Sequence, residues 1–236
     1  MTDQITAMTI PGTHEKFLAF FAKLVGAGAK VLDVGAGQGA LSRKLHEAGF
    51  QVSACELHPE EFRYDKVECR KADLTQSLPY QDGTFDAAVA VEVMEHLVSP
   101  DRLFAECARV LRPGAVFAMS TPNILSLKSR LRFAACGFFY SFKPLDMENK
   151  HSLEHVNSLT LDQYRYLAHR NGFEIARIGV DKRQTSSILL LVFVPLLWLM
   201  AKLQRVGFAV HGKLDLLLGR KLFVAFRRSG ESPPNG

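Results

Sequence analysis

The residues best equipped to do chemistry lie together in the run Glu92-Val93-Met94-Glu95-His96. Glu92, Glu95 and His96 are related as i, i+3 and i+4, so any helical turn brings two carboxylates and an imidazole onto one face. Groups that close repel one another unless a cation or hydrogen bonds compensate. The imidazole is also suited to accepting a proton from a reacting hydroxyl. A second group lies upstream, where Gly35-Ala36-Gly37-Gln38-Gly39 is preceded by Asp33 and followed at longer range by Glu56 and Asp73. Glycines let the backbone approach a ligand closely, and a helix N-terminus after the turn offers free N–H groups. The string GAGQGA also fits the dinucleotide fingerprint, with Glu56 where that fold places its ribose acid, so a nicotinamide enzyme is the first rival reading. Asp33 argues against it. A phosphate-binding turn has no use for an acid two positions before its first glycine, whereas a cationic amino-acid ligand does. Asp73, in KADLTQSLP, supplies a further acid near the expected adenine position.

The elements that must position these groups alternate regularly. Residues 14–25 read as an amphipathic helix, 30–34 as a strand, 40–48 as a helix closed by Gly49, and 51–56 and 67–71 as strands. Residues 85–91 (FDAAVAV) form a buried strand and 101–111 a helix stopped by Arg112-Pro113-Gly114. A strand at 115–120, a helix at 160–170 and strands at 173–181 and 222–228 complete the pattern. Such alternation predicts an α/β fold with a mostly parallel sheet covered on both faces. Asp33, the glycine turn, Glu56, Asp73 and Glu92–His96 then all fall at strand ends.

In that order, VLDVGAGQGALS, Glu56, ADL, FDAAVAVEVMEHL and LRPGAVF resemble the successive motifs of class I S-adenosylmethionine-dependent methyltransferases. The resemblance implies a Rossmann-like, seven-stranded sheet whose last strand is antiparallel and inserts between strands five and six. It further implies that Asp33 with Gly35, Ala36, Gly37 and Gly39 holds the methionine part of the cofactor. Glu56 with Leu57 would bind the ribose, and Asp73 with Leu74 the adenine. The Glu92–His96 stretch is similar to that of ubiquinone-pathway O-methyltransferases and of metal-dependent small-RNA 2′-O-methyltransferases. In the latter an ExxEH cluster and a distant histidine bind a divalent ion. Here that implies Glu92, Glu95, His96 and His155 as ligands of magnesium, manganese or zinc, with His151 as the lesser choice for the distant histidine. Without a metal, His96 would act as base, with Glu92 and Glu95 orienting loops.

Two segments depart from the core rhythm. Residues 124–150 carry the basic and aromatic stretch KSRLRFAACGFFYSFK, and residues 184–221 separate the last two strands, far more than a hairpin loop needs. The expected organisation is a core over 1–183, an apolar insertion over 184–221, a closing strand over 222–228 and a disordered tail over 229–236. Within the insertion, residues 188–201 (ILLLVFVPLLWLMA) are too short to span a bilayer comfortably and are interrupted by Pro195. Lys182, Arg183, Lys202 and Arg205 flank them, as expected of a segment seated at a lipid interface, so residues 184–221 are expected to dock on a membrane with help from 128–143; the rival is a buried core helix. The expected acceptor is therefore a hydroxyl of a small or lipid-linked molecule, such as a quinone precursor or a glycan, at a membrane surface. An RNA acceptor and a non-catalytic cofactor-binding module are the alternatives; no extra basic and aromatic domain favours nucleic acid. A net charge of +5 and a pI near 9.1 permit an anionic partner without demanding one. Hydrophobic residues make up 47% of the chain, enough for a sizeable core. The four cysteines form no CxxC pair and read as free thiols of a cytoplasmic, peripheral membrane protein without a signal peptide. Oligomeric state is left open.

Overall fold

Short apolar runs between glycine turns become strands buried on both faces. The computed structural model describes residues 5–148, 154–209 and 211–230. Its strands are β1 (Lys30–Val34), β2 (Gln51–Glu56), β3 (Cys69–Lys71), β4 (Phe85–Val91), β5 (Leu111–Pro122), β6 (Phe173–Val180) and β7 (Lys221–Arg228). They form one sheet in the order β3-β2-β1-β4-β5-β7-β6. The first five pair in parallel, and β7 runs antiparallel to both β5 and β6. This is the seven-stranded, Rossmann-like class I methyltransferase arrangement expected from the sequence.

Alternate residues of each strand face opposite helical layers, which explains why the strands read as continuous apolar runs. On one face, α1 (Thr13–Phe21) and α2 (Ala40–Glu47) bury Phe17, Phe21, Leu41 and Leu45 against Val31, Val89 and Phe223. On the other, α3 (Asp101–Val110) and α5 (Leu161–Arg170) bury Phe104, Cys107 and Tyr164 against Leu32, Ala88, Phe117 and Phe226. Each fully buried Phe or Leu contributes roughly 2 kcal/mol of transfer free energy. Cys55 and Cys107 are buried thiols, Cys69 is half-buried and Cys136 is exposed.

Several boundaries differ from the sequence reading. Helix α1 ends at Phe21, not 25, and β3 is confined to Cys69–Lys71. The Arg112-Pro113-Gly114 run is not a turn before β5 but a bulge inside it. Phe85 pairs with Leu111 and Ala87 with Val116, so residues 112–115 face only Asp86. Gly114 takes φ +79° there, and Pro113, lacking an N–H, loses no ladder bond. The 124–150 segment contains a helix, α4 (Leu127–Cys136), capped by the Ser126 hydroxyl accepting from the Ser129 N–H and ended by left-handed Gly137.

In the insertion, a 3₁₀ run (Thr185–Phe193) passes directly into α6 (Val194–Leu203), and α7 (Leu214–Leu218) leads back to the sheet. Pro195 does not interrupt the segment: it sits in the first turn of α6, where a missing N–H costs nothing. The result is one helix, Thr185–Leu203, of 19 residues, long and apolar enough by length and composition alone to cross a membrane. At the other end, the Ser229 amide and hydroxyl both donate to the Gly172 carbonyl, at 2.8 and 2.6 Å, so the expected tail is anchored at its first residue. Residues 231–236 of that tail, and His151, lie outside the described residues.

Candidate active site

The glycine turn emerges from β1 in a conformation that only glycines hold easily. Gly35 has φ +70°, and a Cβ there would lie 2.7 Å from Val93 Cγ2. Gly39, at φ +87°, starts α2, and a Cβ there would lie 2.8 Å from the Phe62 ring. Both positions therefore exclude larger residues by conformation and by space. Ala36 packs in the small cluster around Tyr64 and Val67. The Glu56 carboxylate, at the end of β2, accepts the Gly37 N–H at 2.8 Å and the Leu57 N–H at 2.7 Å, fastening the turn to the second strand. Asp33 is buried, and its carboxylate accepts the Ser42 hydroxyl at 2.6 Å. Burial, and secondarily Glu56, raises its pKa from 3.8 to about 7. Asp73 is exposed just past β3, where its carboxylate accepts the Thr75 amide and hydroxyl; these bonds lower its pKa, and Leu74 beside it packs on the core. The structure thus groups Asp33, Gly35, Ala36, Gly37, Gly39, Glu56 and Leu57, with Asp73 and Leu74 one strand further out.

The second group lies past β4. Glu92 has a left-handed backbone, φ +58°, unusual for a side-chain-bearing residue and costing on the order of 1–3 kcal/mol. It is held there by its N–H on the Ser120 carbonyl (3.2 Å) and by the Ser120 hydroxyl donating to its carboxylate (2.7 Å). That kink turns the chain into a 3₁₀ turn, Met94–His96, and separates the two glutamates. Glu92 forms a largely buried ion pair with Lys221, the first residue of β7. Glu95 is fully buried, and among the described residues neither of its carboxylate oxygens has a hydrogen-bond partner. Burial first, then the Glu92 charge, pushes its pKa well above the usual carboxylate range.

His96 and His155 complete this group. Their rings meet edge to face, with centroids 4.9 Å apart, and Phe142 packs on His155. His96 Nδ1 lies 3.0 Å from the Glu154 carbonyl. A carbonyl only accepts, so Nδ1 carries the proton and Nε2 presents a lone pair. Burial lowers the pKa of both histidines and favours the neutral form. His155 Nδ1 is buried without a partner among the described residues. One ligand atom from each of Glu95, His96 and His155 lies within 4.8 Å of the others. Ligands on one divalent ion sit about 3–4 Å apart, so small side-chain rotations suffice to hold a cation. An orphaned carboxylate and two imidazole lone pairs fit that use. Glu92 departs from the expected four-ligand set, since its carboxylate is taken by Lys221 and Ser120.

Residues 32–119 match the family model described as a methyltransferase domain. A ubiquinone biosynthesis O-methyltransferase of Xanthomonas oryzae pv. oryzae (strain PXO99A) is 37% identical over 111 residues, covering 43% of this chain and 46% of that protein. Over residues 32–119 the chain thus carries a methyltransferase domain of the class I S-adenosylmethionine-dependent type. Among solved structures, the PH0226 protein of Pyrococcus horikoshii OT3 superposes with a TM-score of 0.61 at 17% identity, covering 97% of this chain and 95% of that one. A SAM-dependent methyltransferase of Archaeoglobus fulgidus gives 0.58 at 17% identity, covering 91% and 92%. These two likenesses establish the fold. The chain spans about half the length of the curated relatives it matches.

The candidate site also contains residues that no motif announced. Lys221 donates to Glu92 and to the Thr9 hydroxyl (2.7 Å), and is itself buried. Thr9 belongs to an N-terminal segment that crosses the glycine turn, with the Thr6 N–H on the Gln38 side chain at 2.9 Å and the Met8 sulfur beside Gly37. Ser120 was read only as a strand residue. A lysine opening a strand that otherwise reads LFVAF was the one available signal: a buried strand end does not retain an ammonium without a partner.

Proposed function

We propose that this methyltransferase transfers a methyl group from S-adenosylmethionine to a hydroxyl oxygen of a lipid-linked or membrane-associated small molecule. The observation that carries the reading is that the glycine turn, Glu56 and the Glu95–His96 turn lie at the same ends of adjacent strands β1, β2 and β4, with His155 brought to Glu95 and His96 from the segment before α5. Bound there, the cofactor supplies a methyl group on a positively charged sulfur, and transfer forms the O–CH₃ bond as the S–CH₃ bond breaks, leaving the neutral thioether. The chain has to align the acceptor and dispose of one proton. Glu56 retains lone pairs for the two ribose hydroxyls while holding the turn amides. Asp73 and the Leu74 backbone face the adenine, and Asp33 with the turn supports the methionine part. His96 Nε2 serves in one of two ways: it accepts the proton of the acceptor hydroxyl itself or, as a ligand with Glu95 and His155, it would hold a divalent cation that lowers the pKa of that hydroxyl, the proton then leaving to solvent. Glu92 then acts as a positioning residue, tying β4 to β5 and β7 through Ser120 and Lys221.

The similarity to O-methyltransferases of ubiquinone biosynthesis supports an oxygen acceptor of quinone-precursor type. The apolar segments beside the strand ends support a lipid-linked one. Incubating purified protein with methyl-labelled cofactor and either membrane lipid extract or total RNA tests this. Label is expected in the lipid fraction as an O-methyl ether. Label in RNA overturns the acceptor class, and label in neither, with intact cofactor binding, favours a non-catalytic module.

A further inference from the structure

Helix Thr185–Leu203 has a mean hydropathy of 2.1, yet only 6% of it is buried in the fold. It is therefore not a core helix. One stripe, Leu190, Leu191, Val194 and Leu197, packs on Leu127 of α4 and on Leu217 and Leu218 of α7. The remaining faces are apolar and open: Leu189 is 84% exposed, Val192 74%, Leu196 55% and Leu203 70%. Helix α4 continues the surface with exposed Leu131 and Phe133, the latter stacked on Phe139 at 4.5 Å. The Lys128 ammonium joins the two segments by donating to the Ser186 hydroxyl at 2.7 Å.

We propose that α4 and helix Thr185–Leu203 form one membrane-binding face that lies in the plane of an anionic bilayer, without crossing it. Charge selects the partner. Residues 182–214 contain no Asp or Glu but include Lys182, Arg183, Lys202, Arg205 and Lys213. Residues 123–145 are likewise free of acids and include Lys128, Arg130, Arg132 and Lys143. Not all of this charge is available: Arg130 is turned onto the Leu125 and His211 carbonyls, Arg132 onto the Phe139 carbonyl, and Arg183 and Lys143 are ion-paired with Asp215 and Glu154. The others border an apolar face about 30 Å long, the length of nine 3₁₀ and ten α-helical residues. Trp198, half-exposed with the Lys202 ammonium 5.1 Å from its ring centre, suits the headgroup boundary. A protein partner would bring acids to meet this rim; phospholipid headgroups bring phosphates and, beneath them, the hydrocarbon that the open leucines match.

The packed stripe decides the orientation. It fastens roughly two turns of the helix along the domain, so a spanning helix would have to leave Leu127, Leu217 and Leu218 and take the Lys128–Ser186 contact into hydrocarbon. Inserted in plane, the same helix buries its open half and keeps its inner stripe. The segment returns to the sheet at Lys221, beside Glu92, and the Asn123 amide at the end of β5 fastens that return by donating to the Leu216 and Gly219 carbonyls. The membrane face is thus mechanically continuous with the chemical site. Its use rests on the lipid-linked acceptor reading; its geometry does not.

The test is vesicle flotation of the full chain on phosphatidylcholine with and without phosphatidylglycerol, alongside calorimetry of cofactor binding. Wild type should float with the anionic vesicles, and Trp198 emission should shift to the blue and escape a water-soluble quencher. A Leu189→Asp, Val192→Asp, Leu196→Asp triple variant alters only open positions, so it should keep cofactor affinity and lose vesicle binding by at least about a hundredfold. No flotation of a cofactor-binding wild type overturns the proposal. So does a dimer in solution that the triple variant converts to monomer, or protease access to the segment from both sides of a sealed vesicle. Loss of cofactor binding in wild type would instead count against the methyltransferase reading and leave flotation as the independent measure of the membrane face.

Discussion

Replacing Lys221 with Met should be one of the most damaging single changes in the site, although the residue belongs to no motif. The Lys221 and Glu92 side chains are only 6% and 13% exposed, and among the described residues Glu92 would keep the Ser120 hydroxyl as its side-chain donor. Removing one partner of a buried ion pair strands the other charge, at a cost of about 3–5 kcal/mol. For a chain of this size that corresponds to a fall in melting temperature of roughly 10 °C. Glu92→Gln should cost a similar amount by stranding the ammonium, which retains only the Thr9 hydroxyl. The double variant removes both charges and should recover to within about 1–2 kcal/mol of wild type. The coupling energy from the four proteins, read by urea unfolding, should therefore exceed about 2 kcal/mol. Additive losses in the double variant would refute the pairing. Methyl transfer distinguishes positioning from packing. The stable double variant should still bind cofactor but turn over slowly, because Glu92 no longer ties β4 to β7.

Glu56→Ala should weaken S-adenosylmethionine binding by about 3 kcal/mol, or on the order of a hundredfold, by removing two charge-assisted hydrogen bonds and freeing the Gly37 amide; unchanged affinity by calorimetry, or tighter binding of NAD, would refute the ribose assignment. Chelator should abolish turnover and a divalent ion restore it, with Glu95→Ala and His155→Ala resembling the chelated enzyme; full activity in chelator leaves His96 as the base, and full activity of His96→Ala defeats both versions. Asp33 makes stability fall with rising pH. Its pKa is raised from 3.8 to about 7 by burial, so its contribution is fully present below about pH 4 and lost as pH passes through 7. The difference corresponds to about 4 kcal/mol, and Asp33→Asn, which can still accept from Ser42, should flatten that part of the profile in thermal melts.

Much of this protein was legible in order along the chain. The strand–helix rhythm depends on local periodicity and on glycines at turns, so the sheet and the placement of Asp33, the glycine turn, Glu56 and Glu92–His96 at strand ends followed from the sequence. The bulge in β5 did not, because Arg112-Pro113-Gly114 has the local chemistry of a turn and only pairing with Asp86 and its neighbours keeps it within the strand. The spacing of Glu92, Glu95 and His96 likewise brought three groups near one another but could not divide them. The left-handed backbone at Glu92 sends its carboxylate to Lys221, 129 residues away, and leaves Glu95 with His96 and His155. Composition marked residues 188–201 as apolar without saying which way they face. Packing of a single stripe on α4 and α7 left the rest outside, and such a partition depends on which other elements have already filled the core. Sequence alone therefore determined what is carried by local propensity and short spacing. The tertiary structure decided every question of pairing between distant residues, since burial and charge compensation are properties of the assembled neighbourhood.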